Sequence, residues 1–314
     1  MQRHIRWVMT CSLLGCAVMS RAQAPSAQNP AAAEKVAPFE VASVKLDETC
    51  TNGTNRGMQN LPSPGRLSLK CMPLQQLVLL AYVTFANGAE PDFRRPEISG
   101  GPNWVRTDAF TLNAKAEDAA PVPKMMGPMM RALLEERFKL AIHHQPKEGS
   151  VFYLTVAKGG LKVKPAAEGS CMPLDFNKLS EYARTNDKPP TFCGGQSMSF
   201  TGRTGKLKTT GATFEQLAQT MLSNLLGEPV IDKTGITDRF DLELDFAPDS
   251  TTPNLAGRGG GRGDASDPNA ALVPETSDLP NLVGALAHIG LKVEPGKGPV
   301  DTIVIDHAEK PIDQ

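Results

Sequence analysis

The segment ATFEQLAQTMLSNLLGEPVIDKTGITDRFDLELDF, residues 212–246, constrains the fold most, because two hydrophobic periods follow one another within it. Phe214, Leu217, Ala218, Met221, Leu222 and Leu225 form the stripe of an amphipathic helix, and Thr213 stands where a capping hydroxyl belongs. Past a turn the period becomes two: Phe240, Leu242, Leu244 and Phe246 alternate with Asp241, Glu243 and Asp245. A helix stripe and a strand face that must share one core imply helix layered on sheet, an α+β protein.

The pattern occurs twice. GRLSLKCMPLQQL begins at Gly65 and GKLKTTGATFEQL at Gly205, an offset of 140 residues that keeps Leu67 with Leu207, Gln76 with Gln216 and Leu77 with Leu217. This points to an internal duplication and to two related halves of helix-plus-hairpin units on short, mostly antiparallel sheets. In the first half Leu74, Leu77, Val78, Ala81 and Tyr82 make the stripe behind Pro73, and a second helix runs over about residues 128–137 with Met129, Met130, Leu133 and Leu134 inward. Phe39, Val41 and Ser43 share one face of a first strand, and residues 110–115 alternate again. A last helix covers 279–289. Gln145-Pro-Lys-Glu-Gly149 and Pro295-Gly-Lys-Gly298 read as turns between short strands, and Asp232-Lys-Thr-Gly235 fits a type I turn. On this reading the Lys-bearing bends are architecture; their meeting at one cleft would instead mark a reactive centre.

The domain reading is 1–22 signal peptide, 23–37 flexible tether, 38–165 first α+β half, 166–197 irregular connection and 198–310 second half, with a disordered Gly-rich insert at 247–277. Arg3 and Arg6 precede an apolar run too short to span a membrane, and no other segment comes close to a span. Leu13-Leu-Gly-Cys16 is a poor lipobox, so anchoring at Cys16 is not expected. Without the leader four cysteines remain, Cys50, Cys71, Cys171 and Cys193. In an exported chain these imply two disulfides, and pairing within each loop region joins Cys50 to Cys71 and Cys171 to Cys193. No C-x-x-C knuckle suggests a metal, and no cofactor is implied. With 33 Lys and Arg against 34 Asp and Glu, the chain has no nucleic-acid footprint.

Chemistry is thinly signalled. H-E-x-x-H, G-x-S-x-G and S-x-x-K are absent, so no catalytic residue is assigned. His143 and His144 are neighbours on a strand and point to opposite faces. Asp306-His307 is an acid/base pair on paper at the end of the last strand, and Trp104 follows a Gly-Gly-Pro-Asn turn; these three are the candidate binding residues. A hydrolase would have to draw two carboxylates from Asp232, Asp241, Glu243 and Asp306.

FEVASVK, ISGGPNWVRTDAFTLNAKAE, RALLEERFKLAIHHQPKE, VFYLTVAKGGLKVKPA, EPVIDKTGITDRFDLELDF and LKVEPGKGPVDTIVIDHAEKP occur in that order. In these the chain resembles the soil-associated family of exported bacterial proteins of unknown function, abundant in Acidobacteria, some members of which are fused to or encoded near beta-lactam-sensor-type membrane metallopeptidases. The helix-then-hairpin units are also similar to the short periplasmic modules at the N-termini of secretins and TonB-dependent receptors. The resemblance implies no activity. The expected function is a non-enzymatic periplasmic or secreted binding module whose partner is an envelope protein, a peptide or a glycan; the alternatives are a cell-envelope hydrolase and a sensor domain working with a membrane metallopeptidase.

Overall fold

Two strands far longer than the sequence pattern predicts set the architecture. The computed structural model of the chain describes residues 37–50, 57–58, 61–184, 190–201, 204–255 and 279–312; the expected leader and most of the Gly-rich insert lie outside them. In chain order the elements are β1 (Val41–Leu46), β2 (Gly57–Met58), β3 (Arg66–Pro73) and α1 (Leu74–Leu79), which widens into a π turn at Leu80–Thr84. Next come β4 (Glu97–Gly100), α2 (Trp104–Thr107), β5 (Ala109–Lys115), α3 (Val122–Lys124), a π turn at Met125–Met129, α4 (Met130–Arg137), β6 (Ala141–Val156) and α5 (Leu179–Tyr182). The remainder is β7 (Gly195–Thr201), β8 (Thr204–Ala212), α6 (Phe214–Leu217), a π turn at Ala218–Leu222, α7 (Ser223–Leu226), β9 (Val230–Asp232), β10 (Phe240–Phe246), α8 (Leu282–His288) and β11 (Leu291–His307). The protein is α+β, with sheet orders β1-β5-β3-β2, β10-β8-β7 and β4-β11-β6-β9.

β6 and β11 pair antiparallel from Leu291↔Val156 to His307↔Ala141, so both expected turns are strand interior: Pro146 faces Asp301, Pro295 faces Phe152 and Pro299 faces Glu148. The ribbon, about 50 Å long at roughly 3.4 Å per residue, joins two hydrophobic clusters. Ile303 and Ile305 lie in the first, with Phe110, Phe138 and the Met-rich helix, and Leu154 and Leu291 lie in the second, with Phe214, Phe240 and Phe246. Each end gains a parallel neighbour, β4 beside β11 and β9 beside β6. The sheets are mostly antiparallel, as expected, and the two parallel pairs arise because each long strand leaves its own half and joins a short strand of the other.

Prolines survive inside the ribbon for a geometric reason. The Phe152 N–H donates to the Pro229 carbonyl and the Lys233 N–H to the Leu154 carbonyl, so residues 152 and 154 turn their backbone groups away from β11. Alternation then points residue 146 outward on β6, and the register points 295 and 299 outward on β11. All three prolines lack an amide that no ladder bond uses, and they blunt the ribbon's free edges.

Local reasons fix the helices. The Thr213 hydroxyl accepts from the Gln216 N–H while the Gln216 side chain accepts from the Thr213 N–H, and Gly227 ends α7 in the left-handed region at φ 78°. Between them the Thr220 hydroxyl donates to the Gln216 carbonyl and the Ser223 hydroxyl to the Ala218 carbonyl, competing with the α ladder where the π turn forms. The wider turn rotates the rest of the helix, so Leu226 is buried and Met221 is turned to the margin of the expected stripe. A similar widening lets Pro128 sit inside a helix that begins earlier than expected. In β1 the inward face is the reverse of the one expected: Val41 is 62% exposed and Val44 is buried at 5%. The start of the insert is ordered, with Leu255 buried in the second cluster.

Both disulfides pair as expected, Cys50 with Cys71 and Cys171 with Cys193. They sit at related β-bulges. Cys71 takes φ 56° where β3 slips against β5, and Gly211 takes φ 54° where β8 slips against β10. A Cβ on Gly211 would lie 2.3 Å from the Cys171 sulfur. Among the described residues no helix is long and apolar enough to cross a membrane.

Two outcomes are expected. Gly211→Ala, clashing and strained, lowers stability by about 2 to 4 kcal/mol in denaturant melts, whereas Gly159→Ala, with nothing within 4 Å, stays within about 0.5 kcal/mol. Restoring the three outward amides with Pro146→Ala, Pro295→Ala and Pro299→Ala leaves the fold intact but raises the weight-average mass in sedimentation at matched concentration; an unchanged mass would show that the prolines guard nothing.

Candidate functional site

A cleft of about 310 Å³ opens where β7 begins. One wall is the helix from Phe214 to Leu226, which presents Gln216, Thr220 and Asn224 at four-residue spacing together with the displaced Met221. A second is Gly194 and Gln196 at the start of β7, and the third is Phe93 and Arg95 from the Pro-rich loop before β4. The helix wall and the strand wall are locked together. The Gln196 side chain donates to the Gln216 carbonyl at 3.2 Å and accepts from the Thr220 hydroxyl at 2.8 Å.

The loop is held separately. The Asp92 N–H donates to the Thr84 carbonyl, and the Asp92 carboxylate takes the Arg94 guanidinium at 2.7 Å. Arg95 is exposed and, among the described residues, has no hydrogen-bond or ion-pair partner. Phe93 is 38% exposed. The cleft therefore combines a free cation, an aromatic face, a thioether and a row of amide and hydroxyl groups. None of its lining residues forms an acid/base pair.

The candidates from the sequence stand elsewhere and do not converge. Trp104 packs on the first cluster, stacked on Phe138 with centroids 6.2 Å apart and edge-on to Phe110 at 6.0 Å. The Lys310 ammonium lies 5.9 Å from its centroid and pairs with Asp108 at 2.7 Å, holding the Asp108 carboxyl below its ordinary range. Asp306 and His307 have different partners: Asp306 lies 2.9 Å from His143, and His307 lies 3.0 Å from Glu309. His144 pairs with Asp301 on the other face. These are exposed surface pairs of small energetic weight.

The four hydrolase carboxylates are also occupied, and only Asp241 and Glu243, on one exposed face of β10, are neighbours. Asp232 accepts from the Thr234 N–H, Asp241 from the Gly211 N–H, Glu243 from Lys206 and Asp306 pairs with His143. Bonding to Lys206 keeps the Glu243 carboxyl below its usual range. Asp232 lies level with Leu154, and Asp306 pairs with His143 near the far end of the ribbon, roughly 40 Å along the strand and far beyond a catalytic pair's reach. The Lys-bearing segments do meet: Lys233 and Pro295 line an open groove of about 410 Å³ with Tyr153, Thr155 and Glu294, whose carboxylate already takes the Lys292 ammonium, while along the exposed ribbon Lys147 pairs with Glu97 and the Lys297 ammonium donates to the Ser150 hydroxyl.

Among the described residues one group offers three metal-type ligands, Asp47, Cys50 and Cys71, and the disulfide already consumes both sulfurs. Its carboxylate accepts from the Thr49 and Thr111 hydroxyls, which hold the Asp47 carboxyl low. The site residues missed by sequence reasoning are Phe93, Arg95, Gln196, Gln216, Thr220 and Asn224. The available signal was the polar line at 216, 220 and 224 on a helix whose other face is core.

No curated protein and no solved structure matches the chain. One family profile does, over residues 82–308, which is most of the chain, all of the second hydrophobic cluster and part of the first. The chain belongs to the family described as "Protein of unknown function (DUF3738)".

Proposed function

We propose that the protein is an exported, non-enzymatic binding module whose ligand surface is the cleft between the Phe93–Arg95 loop and the helix that follows β8. The carrying observation is the composition of that cleft: a guanidinium unpartnered among the described residues and a half-exposed phenyl ring face amide and hydroxyl groups, and the lining residues include no histidine, cysteine or carboxylate that would serve a reaction. Export is supported by the leader-like residues 1–22 and by two disulfides, which persist in an oxidising compartment.

An origin by duplication of one unit belongs to the same reading. The order strand, helix with π turn, short strand, strand, helix, long strand runs from β3 to β6 and again from β8 to β11. The paired left-handed positions Cys71 and Gly211 support it too.

Titration of isotopically labelled protein with fractionated envelope peptides and glycans is expected to move backbone signals at Phe93, Arg95, Gln196, Thr220 and Asn224, with the ligand recovered unaltered. Asn224→Trp, which fills the exposed mouth, is expected to weaken that binding about tenfold or more. Signals moving only on the His143–Asp306 ribbon, or a ligand recovered cleaved, would overturn the proposal.

A further inference from the structure

We propose that the cleft takes the free C-terminal end of an extended peptide, which adds antiparallel to β7 and sets its terminal carboxylate against Arg95; the inference rests on the cleft being the ligand surface.

The first support is the contrast between sheet edges. Among the described residues β7 pairs only with β8. Of the edge strands of four residues or more, β7 alone, reading GQSMSFT, contains neither a charged residue nor a proline: β1 carries Lys45, β4 carries Glu97 and β10 carries three acids. The ribbon's free edges are blunted by prolines. A chain that guards its other edges and leaves seven uncharged residues unguarded has left a place for another strand.

The second support is backbone direction. Thr201 pairs with Thr204 only three residues on, which antiparallel geometry allows only as a hydrogen-bonded pair, so alternation turns Ser197, Ser199 and Thr201 toward β8 and leaves the amides and carbonyls of Gln196, Met198 and Phe200 facing outward. Gln196, Met198 and Phe200 are half-buried toward the helix side, while Ser197 and Ser199 are exposed. An added strand would pair with those outward groups, and its end would run beside Gln216, Thr220 and Met221.

The third is charge. The cleft lies at the N-terminal end of β7, so an antiparallel strand arrives there with its own C-terminus. Arg95, free of any partner among the described residues, offers the planar donor fork that a carboxylate fills in bidentate fashion. A parallel strand would bring an ammonium to the same guanidinium. The size also decides: about 310 Å³ is at the small end of ligand cavities, enough for a terminal side chain or two and not for several sugar rings.

The test is an array of hexapeptides with free carboxyl ends, each duplicated as its C-terminal amide, probed with the purified protein, with chitotetraose as the glycan probe. The expected result is a set of free-acid binders that lose at least about tenfold in affinity on amidation and equally in Arg95→Gln. Binding should also slow amide exchange at Gln196, Met198 and Phe200 about tenfold or more. Met198→Pro, which removes one outward donor at an edge position that tolerates proline, should abolish binding while the thermal midpoint is kept; the exchange measurement on the parent protein carries the point if that variant fails to fold. Equal binding of acid and amide, no exchange protection on β7, no free-acid binder, or chitotetraose binding that Asn224→Trp removes would each overturn the peptide-end inference. Of these, chitotetraose binding lost in Asn224→Trp leaves the cleft as the ligand surface, whereas ligand signals wholly outside the cleft overturn both.

Discussion

The pairing of β6 with β11 is the interaction on which the rest depends. Neither hydrophobic cluster closes without a strand from the other half. Ile303 and Ile305 reach the first cluster only because β11 crosses from α8, and Leu154 reaches the second only because β6 crosses from α4. The contacts join residues about 150 positions apart, so their loop-closure entropy must be met before either core is complete. Loosening the ribbon at one end should therefore be felt at both.

That dependence explains why the ribbon tolerates so polar a middle. Residues 143–148 are exposed and gain little from their ion pairs with Asp306, Asp301 and Glu97. The free energy sits at the ends, where Ile303, Ile305, Leu154 and Leu291 are 2% exposed or less. Between them the backbone needs only an unbroken ladder and close approach. Gly296 supplies the latter, since a Cβ there would lie 2.5 Å from the Tyr153 ring, whose hydroxyl donates to the Lys297 carbonyl.

The sequence was legible where a segment's own period decides its burial. Phe240 to Phe246 alternate buried and exposed without a break, and the four cysteines pair by loop region as their spacing suggests. It misled where local chemistry and a distant partner disagree. Pro146 to Gly149 and Pro295 to Gly298 have turn composition, yet each stretch is held extended by the other, a partnership that no local rule contains. In β1 the period was right and the parity wrong, because Phe39 anchors the chain before the strand begins and the alternation restarts at Val41. The cleft was hidden for two reasons: Phe93 and Arg95 come from a loop with no period at all, and Met221 enters only because hydroxyl groups at 220 and 223 widen one turn of its helix.

The same widening ties the scaffold to the proposed site. The Thr220 hydroxyl lies within hydrogen-bond distance of two acceptors, the Gln216 carbonyl of its own helix and the Gln196 side-chain oxygen of β7, and shares its one proton between them, so one group relaxes the α ladder and ties the helix to the edge strand. Were the helix regular, Met221 would return to the stripe and the polar line would turn from the strand. Strain accepted within a helix is more often a sign of function than of carelessness in the fold. π turns also widen the two helices of the first half, but in this helix the widening faces an unguarded edge and the Arg95 guanidinium, whereas the histidine and carboxylate groups that look reactive in the sequence are taken up in pairing with one another across the ribbon and in capping turns.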